Sequence, residues 1–397
     1  MRIRPLVVAV ALIAVCGAAP ALAQSADELF DVNTIQEVRL SVNTRDLRTL
    51  RERYQDNTYY TADLAWKNLK LRNVGIRSRG QGSRNPTKLG LRVDMAYYTT
   101  GQRFVGLSSL VLDNIWQDDS MLRERLAFTF FERMGQPAPR ESFCRLFINN
   151  EYQGLYTITE EVDADFVKRV SGETGGNLFE FHWADDKQWR GEDLVSVANY
   201  KPRLEARTHV LDADATLYAP VQQLFKEVNG PDDNVWRERV EQYLDLVQFV
   251  RHVAIETFII ENDGILGYAG MNNFYLYRTS GSSKHRLFVW DKDNAFLFPG
   301  GQISIASDNV IFNRALRYAD LKDEYLTTLE QCAILAKTDD FLLREIDRLT
   351  AIVHDAAKAD TRKQYGNEQY DEAVKWLRGF AASRPDEVLA EVARLRK

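Results

Sequence analysis

Two hydrophobic periodicities follow one another along this chain, and their order limits the folds that it can adopt. The first third carries segments that alternate apolar and polar side chains, as expected of strands with one buried face. These alternating segments are residues 37–43, 66–80 and 89–95. Apolar side chains then recur at helical spacing in residues 118–135 and 240–263, and from residue 320 to the C terminus. The order predicts an α+β fold rather than a doubly wound parallel sheet.

Turn residues place two hairpins within this order. Residues 143–163 contain two apolar runs separated by Asn149-Asn150, a pair that favours a tight hairpin turn. A second hairpin is predicted around Gly281, and its last strand ends in an acidic segment. Residues 164–235, between the hairpins, are charged and irregular, so we predict a linker with short helices there.

The two central helices carry start and stop signals of their own. Asp119 or Ser120 is the predicted cap of the first, and Gly135 its predicted stop. Gly264 is the predicted stop of the second. This boundary places Asp263 at the C-terminal end of a largely buried helix.

The N terminus has the pattern of a secretory signal peptide. Arg2 and Arg4 precede an apolar stretch, which ends in Ala21-Leu22-Ala23, the small-residue pattern of a cleavage site. We predict cleavage after Ala23 and export to the periplasm or the extracellular space. No later stretch approaches the roughly 20 apolar residues that a membrane span needs, so we predict no transmembrane span.

Charge and cysteine content exclude some functions and leave one question open. The formal net charge is −6, which disfavours a general nucleic-acid binder. The five histidines are scattered and form no zinc-ligand spacing. Beyond the predicted signal peptide only Cys144 and Cys332 remain, and they are either a disulfide or two buried thiols.

Two acids lie one residue apart within an apolar run, in the segment FVWDKDNAFLF at residues 288–298. Burying an unpaired carboxylate costs several kcal/mol unless a positive charge meets it, by about the usual desolvation penalty of an ion. Asp291 and Asp293 therefore indicate either a divalent cation or a turn. A turn needs only one such acid, which makes this pair the strongest signal in the chain.

Other residues could complete a phosphoryl-transfer site, which needs a cation for the phosphates, oxygen ligands for Mg²⁺ and an acid beside the attacking hydroxyl. Lys88 follows a glycine-containing basic loop at residues 77–84, Asp263 follows a buried helix, and Asn273 precedes a strand. Each also has an ordinary explanation. Lys88 would be a solvated lysine and the basic loop an ordinary surface loop. Asp263 would be a helix-end residue, and Asn273 would close a loop.

The joint arrangement of several stretches resembles one known family. The stretches RSRGQGSRNPTKLGLRVDM, MLRERLAFTFFERMGQPAPRESFCRLFINNEYQGLYTITEEVD, YLDLVQFVRHVAIETFIIENDG, NNFYLYR and RLFVWDKDNAF resemble, in that order, the blocks of the spore coat protein H (CotH) kinase family. The blocks run from about residue 77 to 298.

The resemblance implies an atypical protein-kinase-like, two-lobed fold. Residues 24–163 would form an N-lobe built on an antiparallel sheet. Residues 164–397 would form a mostly helical C-lobe, with catalytic segments in residues 263–298 followed by C-terminal helices. The implied activity is transfer of the γ-phosphate of ATP, with Mg²⁺, to Ser or Thr of a secreted or envelope protein.

The resemblance also implies roles for individual residues. Lys88 matches the lysine that contacts the phosphates, and Asp263 matches the catalytic aspartate. Asn273 and Asp291 match the residues that bind magnesium. Asp293 would be a second metal ligand or would hold the loop by hydrogen bonds.

Three further residues are expected at the nucleotide. Glu160 lies in the family's strand-to-linker segment, where adenine contacts are expected. Arg79 belongs to the basic loop and is predicted to bind the cofactor. Glu124 opens the helix that faces the active-site lysine in kinases, and it could pair with Lys88 or with residues of its own helix.

Two alternatives to an active kinase remain. Gln81-Gly82-Ser83 replaces the family's asparagine-serine-serine loop, and Met271 stands where a His often precedes the paired Asn. These departures leave open a catalytically inactive assembly protein of the cell envelope. A carbohydrate-binding or hydrolytic protein would instead use Asp291 and Asp293, or Glu160 with its neighbour, as acid and base.

Overall fold

Seven strands of this protein close into a barrel. In the computed structural model, the residues described are 24–183, 200–268, 270–297, 301–303 and 305–397, so the predicted signal peptide lies outside them. The barrel strands are β1 (Gln36–Val42), β2 (Tyr60–Trp66), β3 (Leu69–Ser78), β4 (Leu91–Asp94), β5 (Ser109–Asp113), β6 (Glu141–Ile148) and β7 (Glu151–Glu160). Their order around the barrel is β1-β2-β3-β4-β5-β7-β6.

The closure corrects one detail of the predicted antiparallel sheet. β1 and β6 pair in parallel, with Gln36 opposite Cys144, whereas the other neighbouring strands of the barrel pair antiparallel. Closing a sheet satisfies the backbone groups that an open edge would expose. Alternate residues of β1, namely Val38, Leu40 and Val42, fill the barrel core.

A second sheet of four strands follows the barrel. Its strands are β8 (Asn177–Phe181), β9 (Leu204–Ala206), β10 (Phe274–Arg278) and β11 (His285–Val289), in the order β11-β10-β8-β9. The prediction of an irregular linker over residues 164–235 is therefore wrong where β8 and β9 lie. β8 pairs with β10, about a hundred residues later, so nothing near β8 in the sequence reveals its partner.

Helices cover both sheets and make up most of the second half. They are α1 (Ala26–Leu29), α2 (Thr44–Glu52), α3 (Arg123–Arg133), α4 (Ala164–Ser171), α5 (Asp214–Asn229), α6 (Trp236–Val240), α7 (Leu246–Phe258), α8 (Val310–Ala315), α9 (Ala319–Lys337), α10 (Phe341–Ala359) and α11 (Asn367–Leu395). α9 packs on α7 and α11, and α11 on α10. The predicted α+β class is confirmed, while the two-lobed arrangement stays a prediction.

The two central helices are shorter than their periodicity predicts. α3 begins at Arg123, whose backbone N–H donates to the Asp118 carboxylate at 2.7 Å, so the predicted caps Asp119 and Ser120 lie before it. α7 ends at Phe258, and Ile259, which continues its apolar pattern, is buried beyond the end of the helix. Asp263 therefore lies in a loop, not at a helix end.

Both predicted hairpins are confirmed. Asn149 and Asn150 join β6 to β7 with φ values of 51° and 67°, the left-handed conformations that a tight hairpin turn requires. Gly281, at φ 71°, lies in the turn between β10 and β11. Cys144 in β6 and Cys332 in α9 are both free and buried, so the alternative of two buried thiols holds. Of the helices in the described ranges, none is long and apolar enough to cross a membrane.

Gly154 provides a test of the contact between the barrel and the C-terminal helices. Its φ is +123°, and a Cβ there would approach a carboxylate oxygen of Asp360 to 2.5 Å. We expect Gly154→Ala to lower the free energy of unfolding by about 2 kcal/mol or more, through both strain and overlap. Urea unfolding measures this.

Gly379→Ala in α11 is the matched control, because a Cβ there would meet nothing within 4 Å. It should raise the stability by about 1 kcal/mol, the usual difference between Gly and Ala within a helix. Equal effects of the two substitutions would contradict the tight contact at Gly154.

Candidate active site

A cavity of about 560 Å³ opens between the barrel and the second sheet. This volume falls within the range of about 300–1,000 Å³ typical of small-molecule sites. The basic loop after β3, the loops after α7 and β11, and the edge formed by β8 and β9 line it. The cavity therefore collects polar groups from segments that are far apart in the sequence.

Asp263 and two asparagines form one side of the cavity. The Asp263 carboxylate accepts hydrogen bonds from the amides of Asn272, at 3.0 Å, and Asn273, at 3.1 Å. Burial raises the pKa of Asp263, and these amide hydrogen bonds oppose that rise. Asn273 has a φ of 57° and is held in this left-handed conformation where β10 begins. The structure thus brings together Asp263 and Asn273, which the sequence separates by a loop.

Asp291 and Asp293 lie in the same cavity, just after β11. Burial raises the pKa of Asp291 to about 6, Arg79 opposes this, and the nearby Asp113 and Asp263 add to it. Burial and then the charge of Asp291 raise the pKa of Asp293 well above its ordinary value. Burial and the neighbouring acids therefore disfavour the ionised forms of both carboxylates.

Arg79 is the cation of the basic loop that reaches these acids. Its guanidinium lies 3.1 Å from the Asp113 carboxylate and 5.4 Å from the centre of the Trp290 ring. The charges of Asp113 and then Asp291 raise its pKa, against the effect of burial. The predicted placement of Arg79 at the site agrees with this geometry, and its role toward a cofactor stays a prediction.

Lys88, predicted to contact phosphates, is not among the described residues that line the cavity. Its side chain is fully buried, with Nζ 2.7 Å from the Asp360 carboxylate and 2.8 Å from the Leu155 carbonyl oxygen. Asp360 also accepts from the backbone N–H of Leu155. In this structure Lys88 joins the barrel to the loop after α10, and its contact with phosphates stays a prediction.

Glu160, predicted near adenine, also points away from the cavity. Its carboxylate pairs with Arg140 and Arg169, while its neighbour Glu161 lines the cavity and pairs with Arg207. Glu160 is the last residue of β7, and its neighbour Glu161 follows the strand with its side chain toward the cavity. The same geometry removes the support for Glu160 and Glu161 as a joint acid and base.

Glu124 does not pair with Lys88, one of the two alternatives left open for it, because Asp360 holds that lysine. It lies beside Glu141 of β6, and burial, followed by the charge of Glu141, raises its pKa well above the ordinary value. Burial also raises the pKa of Glu141 to about 8. Asp291 is a further contributor to the shift at Glu124, so burial and the surrounding acids favour the neutral form of this carboxyl, which neutralises no lysine.

Lys292 and Glu256 are important residues that the sequence interpretation missed. Lys292 is fully buried, with Nζ 2.9 Å from Glu256, and it donates to the Asn273 carbonyl oxygen at 3.0 Å. Two sequence signals could have found them: a lysine between two acids in an apolar run, and a lone acid within the apolar helix α7.

Another acidic group lines the far side of the cavity. Among the described residues, Glu180, His182 and Glu205 place potential metal-ligand atoms within 4.8 Å of one another. His182 Nε2 lies 3.0 Å from Glu205, and Arg207 lies 3.3 Å from Glu205 and 3.5 Å from Glu180. Arg207 also pairs with Glu161, so these side chains belong to an ion-pair network centred on its guanidinium.

The residues present fit a magnesium ion on the opposite side. Mg²⁺ prefers carboxylate and amide oxygens and usually retains water ligands. Asp291, Asp293 and Asn273 offer such oxygens in one cavity, and burial raises the pKa of both acids. A divalent cation would favour their ionised forms.

Comparison with known proteins identifies the protein family to which this chain belongs. The family described as "CotH kinase protein" matches residues 76–388, which is most of the chain and reaches into α11. This chain belongs to the CotH kinase protein family. The resemblance of residues 77–298 is thereby confirmed, and the match includes α9 and α10 as well.

Individual relatives are distant. The chain is 21% identical over 343 residues to inner spore coat protein H of Bacillus subtilis (strain 168), covering 84% of this chain and 91% of that one. It is 40% identical over 145 residues to an inner spore coat protein H-like protein of the same strain, covering 36% and 38%. It is 25% identical over 190 residues to invasin CotH2 of Rhizopus delemar, covering 46% and 30%.

One solved structure with partial likeness is the proinflammatory kinase CtkA of Helicobacter pylori. It covers 80% of this chain and 95% of its own, with a TM-score of 0.33 and 8% identity. A TM-score this low does not establish a shared fold. The assignment to an atypical kinase family therefore rests on the sequence match.

Proposed function

We propose that this chain is an exported, Mg²⁺-dependent protein kinase that transfers the γ-phosphate of ATP to Ser or Thr of a secreted or envelope protein. The observation that carries the proposal is the joint placement of Asp263, Asp291, Asp293 and Arg79 in one cavity. Membership of the CotH kinase protein family supports it. Phosphoryl transfer relies on positioning and charge stabilisation, which are what such a cavity can provide.

Each residue would have a defined task. Asp291, Asn273 and Asp293 would hold Mg²⁺, which neutralises charge on the phosphates of bound ATP. Asp263 would orient the acceptor hydroxyl and take its proton, and the amides of Asn272 and Asn273 hold its carboxylate in place.

The cation for the phosphates is proposed to be Arg79, because Arg79 lines the cavity and Lys88 is not among the described residues that do. Arg79 lies between Asp113 and the acidic side of the cavity, with its guanidinium over Trp290. A guanidinium can donate two parallel hydrogen bonds to phosphate oxygens.

The direct test is unfolding of the mature protein with Mg-ATP and with ATP plus EDTA. A ligand at a hundred times its dissociation constant, bound only by the folded state, should add about 2.7 kcal/mol of stability. We expect this gain with Mg-ATP and its loss with EDTA, together with added phosphate groups in the intact mass of an acceptor protein. No gain at any Mg-ATP concentration would contradict the proposal.

A catalytically inactive envelope assembly protein is the second candidate. The burial of Lys88 away from the cavity favours it, and the similarity to a relative named inner spore coat protein H is compatible with it. Stabilisation by Mg-ATP without any phosphate transfer would favour this candidate over the kinase.

A further inference from the structure

We infer that the buried ion pair between Lys292 and Glu256 positions the residues that bind metal and acceptor, an inference that rests on the proposed function. Neither residue is among the described residues that line the cavity. Both lie directly behind it, where they join the three segments that supply its acidic side. They are positioning residues, because they would act through Asp263, Asn273 and Asp291.

The lysine end of the pair ties two of these segments together. Lys292 follows Asp291 in the sequence, but its side chain is fully buried and donates to the Asn273 carbonyl oxygen at 3.0 Å. One ammonium group therefore links the loop after β11 to the start of β10. The side chain of Asn273 in turn donates to the Asp263 carboxylate.

The glutamate end secures the third segment. Glu256 Oε1 lies 2.9 Å from Lys292, and Oε2 accepts a hydrogen bond from the backbone N–H of Ile265 at 2.7 Å. The chain packs so closely here that a Cβ on Gly264 would approach Glu256 Oε2 to 2.5 Å. The loop that carries Asp263 is thus held against the carboxylate on α7.

The backbone conformations show what the pair must maintain. Asn273 and Asp291 have φ values of 57° and 47°, in the left-handed region, which Asn and Asp adopt more often than other non-glycine residues but still as single, locally held positions. Such conformations persist only where the surrounding contacts determine them. Lys292 donates a hydrogen bond to the Asn273 carbonyl oxygen and directly follows Asp291 in the chain. Loss of its ammonium should therefore let both residues relax and move their side chains.

Both charges of the pair can be removed together; Glu261, whose pKa burial raises to about 8 and the lysine lowers, then loses that nearby ammonium. Lys292→Met alone would strand the Glu256 carboxylate, so loss of activity could reflect misfolding. The double variant Lys292→Met/Glu256→Gln carries neither charge, and its amide oxygen can still accept from Ile265. We expect its melting temperature to lie close to that of the wild type, whereas the single variant melts well below both.

The positioning role predicts a specific kinetic and binding pattern for this double variant. The kcat for phosphate transfer should fall about a hundredfold, as expected for a small misplacement of catalytic groups. The KM for Mg-ATP should rise by no more than the loss of metal affinity, because Arg79 is untouched. Mn²⁺ binding without nucleotide, measured by electron paramagnetic resonance, should weaken by about tenfold or more, since carboxylate spacing determines it.

A control variant removes an ion pair that does not line the cavity. Lys337→Met/Asp386→Asn breaks a pair between α9 and α11 whose side chains are largely exposed. It should leave kcat and Mn²⁺ affinity unchanged. Lys292→Leu/Glu256→Gln repeats the test if the methionine version does not fold.

The outcomes separate the inference from the proposed function. Wild-type kcat and Mn²⁺ affinity in a stable double variant would overturn the positioning role and leave the kinase proposal intact. Failure of the wild type to bind Mn²⁺ and Mg-ATP would overturn the proposed function, and this inference with it. A stable double variant with low kcat and weak Mn²⁺ binding supports both.

Discussion

Asp291→Asn is expected to abolish stabilisation by Mg-ATP while leaving the protein folded. The substitution keeps the size of the side chain but removes the charge that would bind the metal. At pH 8 the folded protein should be at least as stable as the wild type, because burial raises the pKa of Asp291 to about 6 and so disfavours its ionised form. Thermal unfolding with and without Mg-ATP measures both effects. The wild type should gain about 2.7 kcal/mol at a hundred times the dissociation constant, and the variant should gain nothing.

Asp263→Asn, compared with Asp291→Asn, separates loss of catalysis from loss of metal binding. Asp263 is proposed to act on the acceptor hydroxyl rather than on the metal, so the variant should still be stabilised by Mg-ATP. Its phosphate transfer should fall by about 10²–10⁴, the usual contribution of a general base. Asp320→Asn, on an exposed acid of α9, controls for loss of charge. Retained Mg-ATP stabilisation in Asp291→Asn would contradict the metal assignment.

Lys88→Met is expected to lower the free energy of unfolding by about 3–5 kcal/mol, the usual cost of breaking a buried ion pair on one side. Lys88 and Asp360 both have fully buried side chains, and burial already lowers the pKa of the lysine. Removing the ammonium leaves the Asp360 carboxylate without a counter-charge between the barrel and α10. Urea unfolding of the variant, compared with the wild type, measures the loss.

Two further measurements decide between a structural and a nucleotide-binding lysine. The double variant Lys88→Met/Asp360→Asn should recover much of the stability, because no buried charge remains unpaired. Variants at Arg79 should instead retain stability better and lose Mg-ATP binding. A Lys88→Met protein of wild-type stability that fails to bind Mg-ATP would show that Lys88 contacts the phosphates.

Local chemistry explains what the sequence predicted well. The hairpin turns at Asn149-Asn150 and Gly281 were predictable because their left-handed conformations depend on the turn residues themselves. The extent of α7 was not, because Ile259 is buried in the loop beyond the helix and continues its apolar pattern. Apolar periodicity reports burial, and it cannot tell a helix face from a buried loop.

The residues of the candidate site also fall into those that the sequence predicted and those that it did not. The acids Asp263, Asp291 and Asp293 and the amide of Asn273 were placed together from motif order, and the structure brings them to one cavity. Lys292 was missed because its partner Glu256 lies on another element. Its neighbours Asp291 and Asp293 were interpreted as the functional residues of that segment.

By itself, the sequence determined the family, the α+β class and the acids of the cavity, because these depend on residue types in a fixed order. Only the tertiary structure decided which cation faces those acids. Arg79 and Lys88 both flank the same glycine-containing loop, and nothing local distinguishes them. Lys88 is drawn away by Asp360, which lies 272 residues later in the chain. An ion pair of that span forms only when the barrel and the C-terminal helices pack together, so its choice of partner is a property of the fold.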